Sequence, residues 1–193
     1  MRSLLLMAVM LGLIGGCASS PQSKFYTLSA VPPRERVQTV RPIVVTVDLL
    51  SVPELIDRPQ FVVRVDATQV RLDEYSRWAD SLKSQISSVI VADLAQSIDG
   101  ALVSSYPQRV TNAQTYRVSV DVQNFESVPG EMASIAVLWS VEPPKPGPTV
   151  SGRTVVHEPV GAAGYGALVD AHSRALATVS GDIASAIRGT LQP

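Results

Sequence analysis

Apolar residues recur at helical spacing in two stretches of the chain. Leu82, Ile86, Val89, Ile90, Leu94 and Ile98 share one face between residues 80 and 98, the stripe of an amphipathic helix. Lys83, Ser84, Ser87 and Gln96 supply its polar side. Asp80 is the candidate N-cap and Gly100 the candidate stop. A second stripe, Leu168, His172, Ala175, Leu176, Val179, Ile183 and Ile187, predicts a longer helix over 165–188. Gly181 weakens it locally, and Arg188 and Gly189 suit its C-terminal end.

Elsewhere the period is two, that of strands. Residues 24–29 read as a first strand. In 43–52, Ile43, Val45, Val47 and Leu49 share one face and Val44, Thr46, Asp48 and Leu50 the other, so this strand is predicted to be central and covered on both sides. Residues 61–65 and 69–72 read as a hairpin whose connection, Asp66-Ala67-Thr68, lacks glycine. Strands over 115–125, 132–142 and 151–160 read as an antiparallel meander. The Pro-rich stretch 143–148 cannot lie inside a sheet and reads as a tip. The helix over 80–98 is a candidate crossover. The predicted class is α/β, with α+β as the variant: a three-layer sandwich of a mixed sheet and two long amphipathic helices, in a single domain over 24–193.

The first residues follow another logic. Met1-Arg2 precedes an uncharged run to Gly16, and Cys17-Ala18-Ser19-Ser20-Pro21 follows. A basic start, an apolar centre and small residues before a cut site are the parts of a secretory signal peptide. The run is too short for a membrane-spanning helix. Leu13-Ile14-Gly15-Gly16-Cys17 resembles a bacterial lipobox, with Ile14 where leucine is commoner. The resemblance implies cleavage after Gly16, a signal peptide over 1–16, acylation of Cys17 and a lipidated tether over 17–23. Several acyl chains anchor a protein durably without spanning the bilayer. Ala18, where aspartate commonly retains such proteins in the inner membrane, implies the outer membrane and a periplasmic domain.

Charge adds little to this picture. Removing Arg2 from the 16 basic residues leaves 15 against 17 acidic ones, a net charge of −2. There is no basic patch for nucleic acid and no acidic tail. Cys17 is the only cysteine, so the domain relies on packing without disulfides.

Reactive chemistry is sparse. The chain has two histidines. His172 lies on the apolar stripe of the last helix and reads as packed. Asp170, two positions away, points elsewhere. His157 reads as a surface strand residue. No nucleophile elbow, His-x-x-x-His pair, cysteine pair or calcium loop is present, so no catalytic residue, metal site or cofactor is assigned. Gly161-Ala162-Ala163-Gly164-Tyr165-Gly166 lacks the Lys-Ser/Thr ending of a phosphate loop and reads as a strand-to-helix turn. Leu55, Ile56, Phe61 and Trp78 lie around a Pro-bounded loop; burial is the default, and an apolar partner contact is the alternative.

The ordered motifs resemble those of the PqiC/YmbA-type lipoproteins, also called ABC-type transport auxiliary lipoproteins. The similarity rests on Phe25-Tyr26-Thr27-Leu28, the Val52–Gln60 loop, Trp78-Ala79-Asp80-Ser81-Leu82 with Val91-Ala92-Asp93-Leu94, the Tyr116–Phe125 strand, Gly164–Val169 and Asp182–Ile187. Ser81, where many relatives carry proline, and the 143–148 tip depart from the pattern. The resemblance implies a periplasmic domain without catalysis. Its partners would be an MCE-domain protein, inner-membrane transporter components and outer-membrane lipid, and it would accompany lipid transport between membranes. A homo-oligomer is compatible with this. The residues also leave open a scaffold for another envelope assembly machine, or a lipid-binding carrier with an apolar pocket. A periplasmic hydrolase has little support.

Overall fold

The computed structural model describes residues 21–33, 35–36, 39, 42–106, 114–144 and 147–191. Gly16, Cys17 and the leader lie outside them, as do Lys145 and Pro146 of the Pro-rich tip. The elements run β1 (Lys24–Tyr26), β2 (Ile43–Ser51), β3 (Gln60–Arg64), β4 (Val70–Trp78), α1 (Leu82–Ser97), β5 (Leu102–Ser104), β6 (Gln114–Val128), β7 (Met132–Glu142), β8 (Val150–Pro159) and α2 (Tyr165–Leu191). The fold is mixed α/β, as the patterning predicts.

The strands divide between two mixed sheets. One has the order β1-β4-β3, the other β5-β2-β6-β7-β8. In the larger sheet β2 is parallel to β5 and β6, and β6-β7-β8 is the predicted antiparallel meander. The chain leaves β2, builds β3, β4 and α1, and returns as β5 beside β2, so α1 does belong to a crossover.

Both helices cover the same face of the larger sheet. Leu82, Ile86, Ile90 and Leu94 of α1 and Leu168, Leu176, Val179, Ile183 and Ile187 of α2 are fully buried. They meet Ile43, Val45, Val47, Val118, Val120, Ile135 and Val137 from the sheet in one core. Burying each large aliphatic side chain contributes about 1.5–3 kcal/mol. On the sheet's other face Val44 and Ala136 are buried, but Asp48, Leu50, Leu138 and Val155 are exposed. β2 is therefore fully covered on one side only.

The N-cap of α1 is Ser81, not Asp80. Its hydroxyl accepts from Ser84 N at 3.1 Å, while Asp80 Oδ1 accepts from Ser81 N. A capping side chain reaches the orphan N–H two or three positions on, and Ser81 stands three before Ser84. The hairpin without glycine closes through Asp66, whose Oδ1 accepts from Thr68 N and Gln69 N, both at 2.8 Å. This side-chain turn replaces the backbone conformation glycine would supply.

The molecule has two ends. Thr190 of α2 meets Tyr116 near the start of β6, while His172 near the start of α2 stacks on Phe125 near the end of β6. The helices are parallel to each other and antiparallel to β6. The small sheet and both helix N-termini occupy one end. The starts of β2 and β6 occupy the other.

Candidate functional site

Leu55, Ile56, Phe61 and Trp78 do meet at the small-sheet end, but mostly inside the protein. Phe61 stacks on Trp78 with ring centroids 4.3 Å apart. Tyr26 meets Phe61 edge-on at 5.7 Å, Tyr165 leans on Phe61 at 4.9 Å, and Phe125 meets Trp78 at 6.2 Å. Offset and edge-to-face pairs of this kind add about 0.5–1.5 kcal/mol beyond burial. The cluster joins the small sheet to β6 and to the starts of both helices. Ile56, Phe61 and Trp78 are buried, so they offer no contact surface to a partner; Leu55 alone, at 45 % exposure, remains outside. Leu55 rims an open crevice of about 80 Å³ that also touches Val62, Val70 and the Arg64–Glu126 ion pair.

Beneath the cluster the protein is filled. The void between Ile56, Leu82, Phe125 and Ser127 measures about 10 Å³, room for one water at most. No acyl chain enters there.

His172 is fully buried, as its place on the stripe predicts. Its ring lies 3.8 Å from that of Phe125 at an angle of 9°, and Nε2 shares a 2.8 Å hydrogen bond with Ser127 Oγ. Nδ1 has no partner. Burial pushes the imidazole down to about 3. A serine and a histidine are thus in contact, but no carboxylate orients the ring and no solvent reaches it, so the pair lacks the third member of a hydrolytic triad. His157, exposed as predicted, bonds Ser134 Oγ through Nδ1 at 2.8 Å. Asp170 is exposed and apart from His172. Among the described residues no group of acidic, histidine and cysteine side chains could hold a metal ion, and no helix is long and apolar enough to cross a membrane. Gly164, at φ +96°, takes the left-handed conformation that closes the turn into α2, which fits a strand-to-helix turn.

One arrangement escaped the sequence. The segment after β1 crosses the helix pair as a strap held by side chains. Leu28 N donates to Gln85 Oε1 at 2.9 Å, Ser29 N to Ser173 Oγ at 3.2 Å and Val31 N to Asp93 Oδ1 at 3.0 Å. Ser180 Oγ donates to the other oxygen of Asp93 at 3.2 Å. Gln85 and Asp93 come from α1, Ser173 and Ser180 from α2, and all four are buried. The strap uses these polar groups to satisfy backbone N–H groups that a buried loop would otherwise leave unpaired. Burial pushes Asp93 up to about 6, against the opposing hydrogen bonds from Val31 and Ser180. The signal was present: Asp93 interrupts the apolar face between Ile90 and Leu94, where a carboxylate needs a partner.

The fold is shared with solved proteins. A crystal structure of an uncharacterized protein is 20% identical, covers 86% of this chain and 99% of its own, and superposes with a TM-score of 0.66. Protein XCC0632 from Xanthomonas campestris, of the DUF330 family, is 19% identical over 86% of this chain and 97% of its own, with a TM-score of 0.58. No curated protein matches the chain in sequence. Residues 26–184, from β1 through most of α2, match the family described as the ABC-type transport auxiliary lipoprotein component, and the chain is a member of that family.

Proposed function

We propose that this protein is a non-enzymatic lipoprotein subunit of an MCE/Pqi-type system that moves lipid between membranes. It is anchored in the outer membrane through Cys17, docks its periplasmic partner there and supports envelope integrity. The carrying observation is the filled core beneath the aromatic cluster. The void beneath the aromatic cluster is about 10 Å³, too small for an acyl chain, and the buried Ser127–His172 pair is closed to substrate. The recess of about 540 Å³ beside the strap is open and lined by Glu35, Asp93, Glu158 and Arg174, a charged wall that suits no acyl chain. A core with no room for an acyl chain there and no open reactive pair supports a domain that acts through its surface and its position. Family membership supports an auxiliary role beside an ABC-type transporter, and the lipobox-like Leu13–Cys17 supports the anchor.

The test is a pull-down from host membranes with the Cys17-anchored protein after gentle crosslinking. An MCE-domain protein and inner-membrane transporter components are the expected partners. Recovery of outer-membrane-protein or lipopolysaccharide insertion machinery in their place would favour the scaffold reading, and no association at all would remove the docking role.

A further inference from the structure

The start of β1 and the β3–β4 hairpin leave the domain in the same direction. Phe25 of β1 and Gln60 of β3 both pair with Arg77 of β4, and β1 is parallel to β4 while β3 is antiparallel to it. From that shared level β3 runs outward to the turn at Asp66, and the chain upstream of β1 leaves on the same side. The six residues from Gln60 to Asp66 cover about 20 Å of extended chain. The eight from Phe25 back to Cys17 span at most about 28 Å. A tether stretched straight therefore outreaches the hairpin tip by no more than about 8 Å.

The same end presents apolar side chains to solvent. Val65 at the hairpin tip is 52 % exposed, and Phe25 at 64 % and Tyr75 at 48 % lie at the hairpin's base. The hairpin tip lies beside the β6–β7 turn, where Val65 and Ala67 share a recess with Val128 and Glu131, and Met132 just past that turn is exposed as well. The carboxylate of Asp66 is turned back onto Thr68 N and Gln69 N, and Glu126 is paired with Arg64. Lys24 and Arg71 are exposed nearby.

We propose that this end is the membrane-apposed face of the protein, lying on the phospholipid headgroup layer that holds the acyl chains of Cys17. The inference rests on the lipidation reading above. The short tether brings the hairpin tip to the surface, and Val65 at the tip and Met132 beside it sit in the interfacial zone that apolar side chains favour, while Phe25 and Tyr75, level with Gln60, stand back from it. The opposite end, with the starts of β2, β6 and β8, then faces the periplasm.

Cys17 is the only cysteine and is consumed by acylation, so an introduced cysteine is the sole free thiol. Full-length protein carrying Val65→Cys, Thr68→Cys or Ser151→Cys is labelled with bimane. Each is then reconstituted in phosphatidylethanolamine–phosphatidylglycerol vesicles containing nitroxide-labelled lipid. Intact mass first reports whether the mature chain is acylated. Labels at 65 and 68 are expected to be quenched several-fold more than the label at 151, at the start of β8. Equal quenching at all three in acylated protein would overturn the face and leave the anchor standing. A mature chain without acyl groups would overturn the anchor and the face together.

Discussion

Asp93 of α1 and Ser180 of α2 are joined side chain to side chain inside the helix pair, with Ser180 Oγ donating to Asp93 Oδ2 at 3.2 Å. The other carboxylate oxygen holds Val31 N. Burial pushes this carboxyl from 3.8 up to about 6. The folded chain therefore keeps a proton there that the unfolded chain releases above about 4. Stability from this group is greatest below about 4 and falls as the pH climbs to about 6. The loss is about 3 kcal/mol. Asp93→Asn keeps both contacts, since its amide oxygen accepts from Val31 N and its amide nitrogen donates to Ser180. The variant is expected to melt several degrees higher than the parent at pH 7.5, with the gain vanishing towards pH 4. Thermal scans at both ends of that window check it; a gain independent of pH would show that the charge is not responsible.

His172 acts in the opposite sense. Its folded value of about 3 lies below the ordinary 6.5, so its contribution is complete above about 6.5 and is lost as the pH falls towards 3. His172→Phe combined with Ser127→Ala removes the titrating ring without leaving a lone hydroxyl. The double variant is expected to resist acid unfolding better than the parent, read as a lower midpoint pH by circular dichroism. An unmoved midpoint would assign acid unfolding to other groups.

Trp139 lies directly over Gly152. A Cβ at residue 152 would sit 2.3 Å from Trp139 Cζ2. The ring has little freedom to move, because Nε1 donates to Thr154 Oγ1 at 2.9 Å and Thr154 in turn donates to Asp182 at 2.6 Å. Gly152→Ala is expected to cost about 1–3 kcal/mol as an overpacking substitution. In a Trp139→Leu background the same change should be nearly neutral. Equal costs in the two backgrounds, measured by urea unfolding, would break the link between the residues.

The anchor can be tested apart from the fold. Cys17→Ser, placed behind a cleavable leader, is expected to give a domain that melts as the parent does but appears in the periplasmic soluble fraction. If lipid-transport phenotypes survived the release in full, docking at the membrane would not be the function of the anchor.

The legible parts of the fold were those where one period held. The stripe from Leu82 to Leu94, the stripe from Leu168 to Ile187 and the β6–β7–β8 meander all read directly. The pattern failed where the backbone breaks phase. The register shift between Val122 and Asn124 inserts a residue in β6, so the alternation ending at Phe125 continues unseen to Val128. A shift between Gln60 and Phe61 breaks the phase of β4, so the strand read over 69–72 continues unseen through Asp73 and Glu74 to Trp78. β5, Leu102–Ser104, is too short to carry a period. Burial, the default reading for Leu55, Ile56, Phe61 and Trp78, holds for all but Leu55, but their stacking with Tyr26, Phe125 and Tyr165 was not legible, because it joins residues distant in the chain. Asp93 signals that a buried partner is needed, but which segment supplies it was not legible, because the strap's contacts join residues 57 to 144 positions apart.

The strap also decides how a load on the N-terminal end is borne. Tension drawn through the tether acts along the axis of β1, so its three paired residues are strained together in shear instead of being unzipped one by one. What passes them arrives at a strap fastened to both helices at once. The helix pair is thereby pulled as a unit.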